Sequence, residues 1–308
     1  MKRTAWQRYG WILRWGGTAA GIAYIAHLIN LDDVTHAFHR LSIGALVAAV
    51  VLVALNIVAG AERWRVLLNA YGAERRPTLI EATRLYLISF FYNNYLPGAV
   101  AGDVVRGVVT RDVFGERGAT AGLAVILVER ALGLFAVFLL LGVGLAAVGH
   151  AVDTGSLWLW SGLGIAGSLA LVLALPFARR LAPLLPGKLR ELAARVPGLA
   201  HVSSFALAAL YSIATQMLVA LAGWLLLRAI DPAVGLGASL LIVPLAAATA
   251  FLPITVGGAG AREAVYVTLG ASLFHMTRAD ALAASLALWL AHLIVAGAGG
   301  LLQLGRRA

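Results

Sequence analysis

Tyr92-Asn93-Asn94-Tyr95-Leu96-Pro97-Gly98-Ala99-Val100-Ala101-Gly102-Asp103-Val104-Val105-Arg106 decides the reading of this chain, because a fainter copy follows it 156 residues later. The second copy is Phe251-Leu252-Pro253-Ile254-Thr255-Val256-Gly257-Gly258-Ala259-Gly260-Ala261-Arg262-Glu263. At that offset Leu96/Leu252, Pro97/Pro253, Val100/Val256, Gly102/Gly258 and Arg106/Arg262 are identical, and the offset is close to half of the 308 residues. Both copies are broken by Pro and Gly and carry charge, yet both lie in apolar surroundings. In a membrane protein, interrupted segments at corresponding positions of two halves point to a transport site.

Composition sets the surroundings. The chain is 61% hydrophobic and 12% charged, with a mean hydropathy of +0.88, which excludes an ordinary soluble globule. Its apolar runs reach the roughly 20 residues needed to cross about 30 Å of hydrocarbon. There is no Cys, so disulfides, thiolate metal sites and Cys nucleophiles are excluded. The net charge of +10 is read as Lys and Arg collecting on one side of a bilayer, not as nucleic-acid binding. Lys2, Arg3 and Arg8 precede an apolar stretch that Arg14 interrupts, and no convincing small-residue cleavage site closes it. This start is read as a retained first span.

Full spans are expected near 11–29, 41–60, 130–149, 157–177, 203–227 and 282–304. Two further apolar stretches, 85–100 and 236–255, lead into the duplicated motif, and a piece at 119–129 runs into the span after it. Whether 119–149 forms one helix or two is left open. Pro97 and Pro253 each remove a backbone donor, so a straight helix is not expected through either motif. The expected fold is an all-α polytopic membrane protein, a single transmembrane domain over 1–308, with about six full spans and two re-entrant hairpins. The hairpins belong to an inverted repeat of 1–152 and 153–308. Shifting the first half by 156 puts its spans at 167–185, 197–216 and 286–305; the last two fall close to apolar runs and the first is about ten residues off. With the N- and C-termini cytoplasmic, 19 of the 24 Lys and Arg residues fall on the cytoplasmic side, as the positive-inside rule asks.

The candidate site follows from where charge meets apolar sequence. Asp103 and Arg106 lie three residues apart on one helix face and can pair. A half-helix N-terminus beside them offers N–H groups, and Arg106 offers a fork for phosphate; the alternative has Asp103 capping a helix and Arg106 among lipid headgroups. Asn93 and Asn94 are two amides in an apolar hairpin that need polar partners. Pro97, Gly98 and Gly102 break the first hairpin, and Pro253, Gly257, Gly258 and Gly260 break the second. Pseudo-symmetry would bring Arg262 to the cavity of Arg106, with Glu263 beside it; close helix packing by small residues is the competing explanation. Glu129-Arg130 is expected either inside the membrane, lining the site, or as a boundary ion pair. Glu62-Arg63-Trp64-Arg65 suits the interface, with Trp64 in the aromatic belt and the arginines on headgroups. His292 and His27 are read as packing residues first and proton relays second.

Taken together, these residues resemble the flippase-type transmembrane family named for the membrane half of lysylphosphatidylglycerol synthase. The match rests on Glu62-Arg63-Trp64-Arg65, on Asn94 with Leu96-Pro97-Gly98 and Gly102-Asp103-Arg106, on Glu129-Arg130 with Gly133, and on Pro253 with Gly257-Gly258-Gly260 and Glu263. Ala101 departs from the Gly that the family more often shows there. The resemblance does not extend to the aminoacyl-transferase half of the synthase, so lipid aminoacylation is not expected to carry over. The resemblance implies a multi-pass bacterial inner-membrane protein that moves an anionic phospholipid or a polyprenyl-phosphate-linked glycolipid between leaflets. Membrane lipids are the expected partners, with a glycosyltransferase as a further candidate.

No Walker A motif is present, so ATP drive within the chain is not expected, and neither a cofactor nor a metal is. The chain is therefore read as a flippase or scramblase and not as an enzyme. The alternatives are an intramembrane enzyme and an accessory protein of lipid-linked sugar or aminoacyl-lipid metabolism. H-E-x-x-H, G-x-S-x-G and grouped metal-ligand spacings are absent, which weighs against the enzyme.

Overall fold

A computed structural model of the protein describes residues 5–95, 101–109, 111–149, 155–174, 177–251, 255 and 258–304, and contains no strand among them. Its helices are α1 (Ala5–Leu28), α2 (Leu31–Arg40), α3 (Ile43–Ala70), α4 (Leu79–Tyr95), α5 (Ala101–Val109), α6 (Gly118–Val148), α7 (Leu157–Ala174), α8 (Ala178–Leu181) and α9 (Gly187–Arg195). They continue with α10 (Val202–Ile230), α11 (Leu236–Ala248), α12 (Ala261–Phe274) and α13 (Arg278–Leu304). The starts are set by side chains. Asn30 accepts from the Asp32 N–H at 3.2 Å, Ser42 from Ala45 at 3.1 Å and Thr277 from Asp280 at 3.1 Å. Thr78 and Glu81 close a reciprocal capping box at the start of α4, each satisfying a donor the helix itself cannot.

Five helices among the described residues are long and apolar enough to cross a membrane: Ile43–Ala70, Ala121–Val148, Leu157–Ala174, Val202–Ile230 and Arg278–Gln303. The all-α polytopic membrane architecture read from the sequence is borne out. The remaining expected span, 11–29, is helical within α1 but falls outside that group; Arg14, Thr18 and His27 dilute its apolar character. The stretch 119–149 is one helix, α6, running from Gly118 to Val148. The second apolar lead-in, 236–255, is helical only to Ala248, with a 3₁₀ turn at Thr249–Phe251. Pro97, Gly98, Pro253 and Gly257 lie outside the described residues.

The centre of the bundle is the pair α3 and α10, packed along their length. Arg63 faces Ser212 and Thr215, while Asn69 meets Ser204, so the two helices run antiparallel. Two cores flank this pair. One gathers Val53, Ile57, Leu226, Ile242, Tyr266 and Leu288, and the other gathers Trp64, Leu67, Leu68, Val125, Leu132 and Ala208.

The packing around the pair has a reciprocal pattern. α4 lies against α13, and α11 lies against α6. Shifting α3, α4 and α6 by 156 residues gives 199–226, 235–251 and 274–304, beside the observed α10 (Val202–Ile230), α11 with its 3₁₀ turn (to Phe251) and α13 (Arg278–Leu304). Both crossings depend on glycine. A Cβ on Gly144 would sit 2.7 Å from the backbone of Leu240, and one on Gly299 would sit 2.1 Å from the Leu87 carbonyl oxygen. Small residues at such contacts let helix backbones approach in a membrane.

Gly299→Val forces α4 and α13 apart and is expected to lower the melting temperature in detergent, by an overpacking cost of roughly 1–3 kcal/mol. Gly167→Val on α7, where a Cβ meets nothing within 4 Å, is the control expected to leave it unchanged.

Candidate functional site

α4 and α5 run back past each other as a hairpin, and polar side chains hold them together. Ser89 Oγ donates to the Gly102 carbonyl at 2.8 Å, and the Gly102 N–H donates to Asn93 Oδ1 at 2.8 Å. A Cβ on Gly102 would lie 1.9 Å from the Ser89 carbonyl oxygen, so only glycine permits this approach. Asn94 Nδ2 donates to the Phe90 carbonyl at 2.8 Å. The amides flagged in the sequence thus find backbone partners inside the hairpin.

Charges line up behind it. Glu129 on α6 accepts from Arg63 Nη2 of α3 at 2.7 Å and from the Tyr86 hydroxyl at 3.0 Å through Oε1. Its Oε2 accepts from Arg106 Nη2 of α5 at 2.6 Å. Arg63, Arg106 and Glu129 are 8%, 2% and 2% exposed. The Arg106 guanidinium also stacks between Trp64 and Tyr86, 4.9 Å and 4.7 Å from the ring centroids, a favourable cation–π geometry. Asp103 takes Arg130, with Nε at 2.7 Å and Nη2 at 2.5 Å from Oδ2. Arg63, Glu129, Arg106, Asp103 and Arg130 therefore alternate in sign, and together they hold one more cation than anion. They border a cavity of about 180 Å³ with Ser89, Asn93 and Gln216.

The second hairpin, α11 and α12, brings Arg262 toward the first. Gly258 and Gly260 have φ of +83°, a left-handed backbone that glycine adopts without steric cost. Glu263 Oε2 accepts the Gly260 N–H at 2.7 Å, and its Oε1 accepts Arg262 Nε at 2.8 Å. Arg262 lies 5.8 Å from the Trp289 ring centroid. A cavity of about 240 Å³ is lined by Asn93, Asn94, Arg130, Arg262, Trp289 and His292 among others. His292 Nδ1 lies 2.7 Å from the Leu288 carbonyl; because a carbonyl only accepts, this nitrogen carries the proton and Nε2 presents a lone pair in the uncharged ring.

Two expectations need correction, the shared cavity of Arg106 and Arg262 and the interfacial place of Arg63 and Trp64. Arg106 does not share a cavity with Arg262 in the way pseudo-symmetry suggested: Arg106 lines the first cavity, Arg262 the second, and Arg130 lines both. The carboxylate of Glu129 holds Arg106 back. Asp103 and Arg106, three residues apart, do pair, at 3.6 Å, and Asp103 makes its closer contact with Arg130. Arg63 and Trp64 are not at the interface, since Trp64 is 1% exposed and both face inward on α3 against the buried charges. Glu62 and Arg65 occupy the other side of α3 and pair with each other, with Arg65 Nε donating to the Pro77 carbonyl at 2.8 Å. Glu129-Arg130 lies inside α6 and lines the first cavity, so the boundary-pair alternative falls away.

The family model for the lysylphosphatidylglycerol synthase TM region matches residues 11–300. The chain belongs to this family. No curated protein matches it. Membership supports a membrane function connected with lipid, and the resemblance read from the motifs is borne out.

Within this family member, Tyr86 and Ser89 join Asn93, and Ser212, Thr215 and Gln216 join Arg63, through a sequence signal beyond the broken motifs. Tyr86, Ser89 and Asn93 lie at i, i+3 and i+7 on α4, a polar stripe in an apolar helix. Ser212, Thr215 and Gln216 form a shorter stripe on α10. Both face Arg63 or the first cavity.

Glu129→Ala leaves two guanidiniums at a buried position without their carboxylate. Breaking a buried ion pair in this way costs about 3–5 kcal/mol, so a large drop in detergent melting temperature is expected. An Arg63→Met/Glu129→Leu double variant, which removes charge from both sides, is expected to recover part of the loss.

Proposed function

We propose that the protein moves an anionic lipid, a phospholipid or a polyprenyl-phosphate-linked glycolipid, between the leaflets of the bacterial inner membrane, without ATP. The observation that carries this reading is the cavity lined by both Arg130 and Arg262. Each arginine reaches it from a different part of the bundle: Arg130 is braced by the first hairpin through Asp103, while Arg262 lies on the second. A phosphate crossing hydrocarbon needs a desolvated cationic partner, and guanidinium supplies a planar fork for its oxygens.

The antiparallel α3 and α10, and the reciprocal packing of α4 on α13 and α11 on α6, support reading 1–152 and 153–308 as inverted repeats with two re-entrant hairpins. The positive-inside bias supports cytoplasmic N- and C-termini. In that arrangement the headgroup passes between adjoining cavities that share Asn93 and Arg130. The proposed headgroup contacts are Asn93, Asn94, Arg130, Arg262 and Glu263. Asp103, Glu129, Arg106 and Arg63 form the electrostatic frame behind them. Pro97, Gly98, Gly102, Pro253, Gly257, Gly258 and Gly260 shape the hairpins. The reading assigns no bond-making step to the chain.

Reconstitution in liposomes with a leaflet-specific fluorescent anionic lipid tests this. Arg130→Ala and Arg262→Ala are each expected to slow lipid movement at least ten-fold. Arg228→Ala, at a partly buried Trp224 contact remote from the cavities, leaves it within two-fold. Wild-type rates in both site variants reject the site assignment; wild-type vesicles no faster than empty ones reject movement of that lipid. If α8–α9 loop changes abolish cellular function while the cavity arginines are dispensable, an accessory role, such as recruiting a glycosyltransferase, replaces transport.

A further inference from the structure

A third cavity, of about 490 Å³, extends the arginine-lined one outward. It shares Asn93, Asn94, Arg262 and Trp289 with its neighbour. Beyond those residues its character changes. One wall is the face of α1 formed by Ile22, Ile25 and Ala26 with Ile29 just past its end, and the other is Leu282 and Leu286 of α13. Ile22 and Trp289 are 55% and 40% exposed, so the cavity is open along the side of the bundle and not sealed within it.

α1 is attached in an unusual way. Its main packing partner is α12, and the contact is backbone on backbone: a Cβ on Gly21 would lie 2.9 Å from Gly260 Cα. Gly260 is also the residue whose N–H is held by Glu263, beside Arg262. The point where α1 touches the second hairpin is therefore the charged end of the groove, and the two walls run outward from there as apolar surfaces.

We infer that this groove is the hydrocarbon-chain subsite of the site proposed above, receiving one chain of an anionic lipid whose phosphate lies at Arg262, with α1 as the side wall past which the lipid enters. The inference rests on the transport reading for its headgroup site. An amphiphile held at Arg262 has Arg130 and His292 in the cavity on one side, and past Glu263 on the other side the α1–α13 groove offers apolar walls that are open along the bundle. Burying an acyl or isoprenyl chain there is strongly favourable only if those carbons leave water. For a lipid already in the bilayer the gain is small, which allows exit as well as entry.

The test uses the full chain in phosphatidylcholine liposomes with a phosphatidic acid that carries a diazirine near the end of one acyl chain. After photolysis, peptides containing 22–29 and 282–289 are expected to be labelled at least five-fold more than the lipid-facing Leu169 and Leu171 of α7. Leu286→Trp and Ile22→Trp fill the groove from opposite walls, so a folding defect in one leaves the other informative. Each is expected to lower groove labelling at least five-fold. Arg262→Ala is expected to do the same, because the chain is held through its headgroup. Labelling equal to that of α7, or indifferent to all three substitutions, overturns the inference. Groove labelling with no lipid movement defeats the transport reading and keeps the subsite; lipid movement with no preferential labelling does the reverse.

Discussion

Glu129 is the one carboxylate on which the arrangement of the first hairpin depends. Two guanidiniums and a phenol hydroxyl converge on its two oxygens from α3, α4 and α5. A bare charge at bilayer depth costs roughly 2.5–3.5 kcal/mol on insertion scales. Three such groups gathered in an apolar bundle are tolerable only as a compensated cluster. The cluster in turn fixes geometry, because each bond ties a different helix to α6. With Arg106 occupied by Glu129 and stacked between Trp64 and Tyr86, Asp103 is left to brace Arg130. The cation that lines two cavities is thus positioned by charges one step further back.

The antiparallel pair α3 and α10 gives this cluster its place. Arg63 projects from α3 toward Ser212 and Thr215 of α10, so the central helix pair and the first hairpin are joined through one side chain. On the other flank, the crossings at Gly144 and Gly299 draw α11 onto α6 and α4 onto α13. Each hairpin is held by a long helix from the other half of the chain. That exchange brings Asn93 and Asn94 to the same cavity walls as Arg262.

Much of this was legible in the sequence, for physical reasons. Apolar runs long enough to span a bilayer have no soluble alternative, and Pro or Gly breaks within them mark departures from a straight helix. Hence the all-α membrane fold and the importance of the two broken segments could be read directly. What could not be read was which charge faces which. Spacing puts Asp103 and Arg106 on one helix face, but Glu129, 23 residues beyond Arg106, wins the guanidinium because α6 brings it within 2.6 Å. Arg63 and Trp64 follow the positive-inside and aromatic-belt patterns, which describe where such residues usually sit and carry no information about a buried partner. The polar stripe Tyr86–Ser89–Asn93 was readable, but it gains meaning only once a partner helix is placed against it.

The alternating charges also bear on how an anion can arrive and leave. A phosphate that draws on Arg130 competes with Asp103 for the same N–H groups. Asp103 is not then stranded, because Arg106 lies 3.6 Å away and the Asn93 amide 3.5 Å away. Both stand ready to accept a larger share of its charge. The exchange therefore replaces one charge-assisted contact by another within the cluster, and no bare carboxylate is created in a low-dielectric interior where it would be costly. Arg262 has the same provision in miniature, since Glu263 is bonded both to it and to the Gly260 N–H and keeps the backbone partner if the arginine turns to a ligand. Two cations, each with a carboxylate that has somewhere else to go, suit an anion that must be released as readily as it is held, which is the requirement that the proposed transport would place on them.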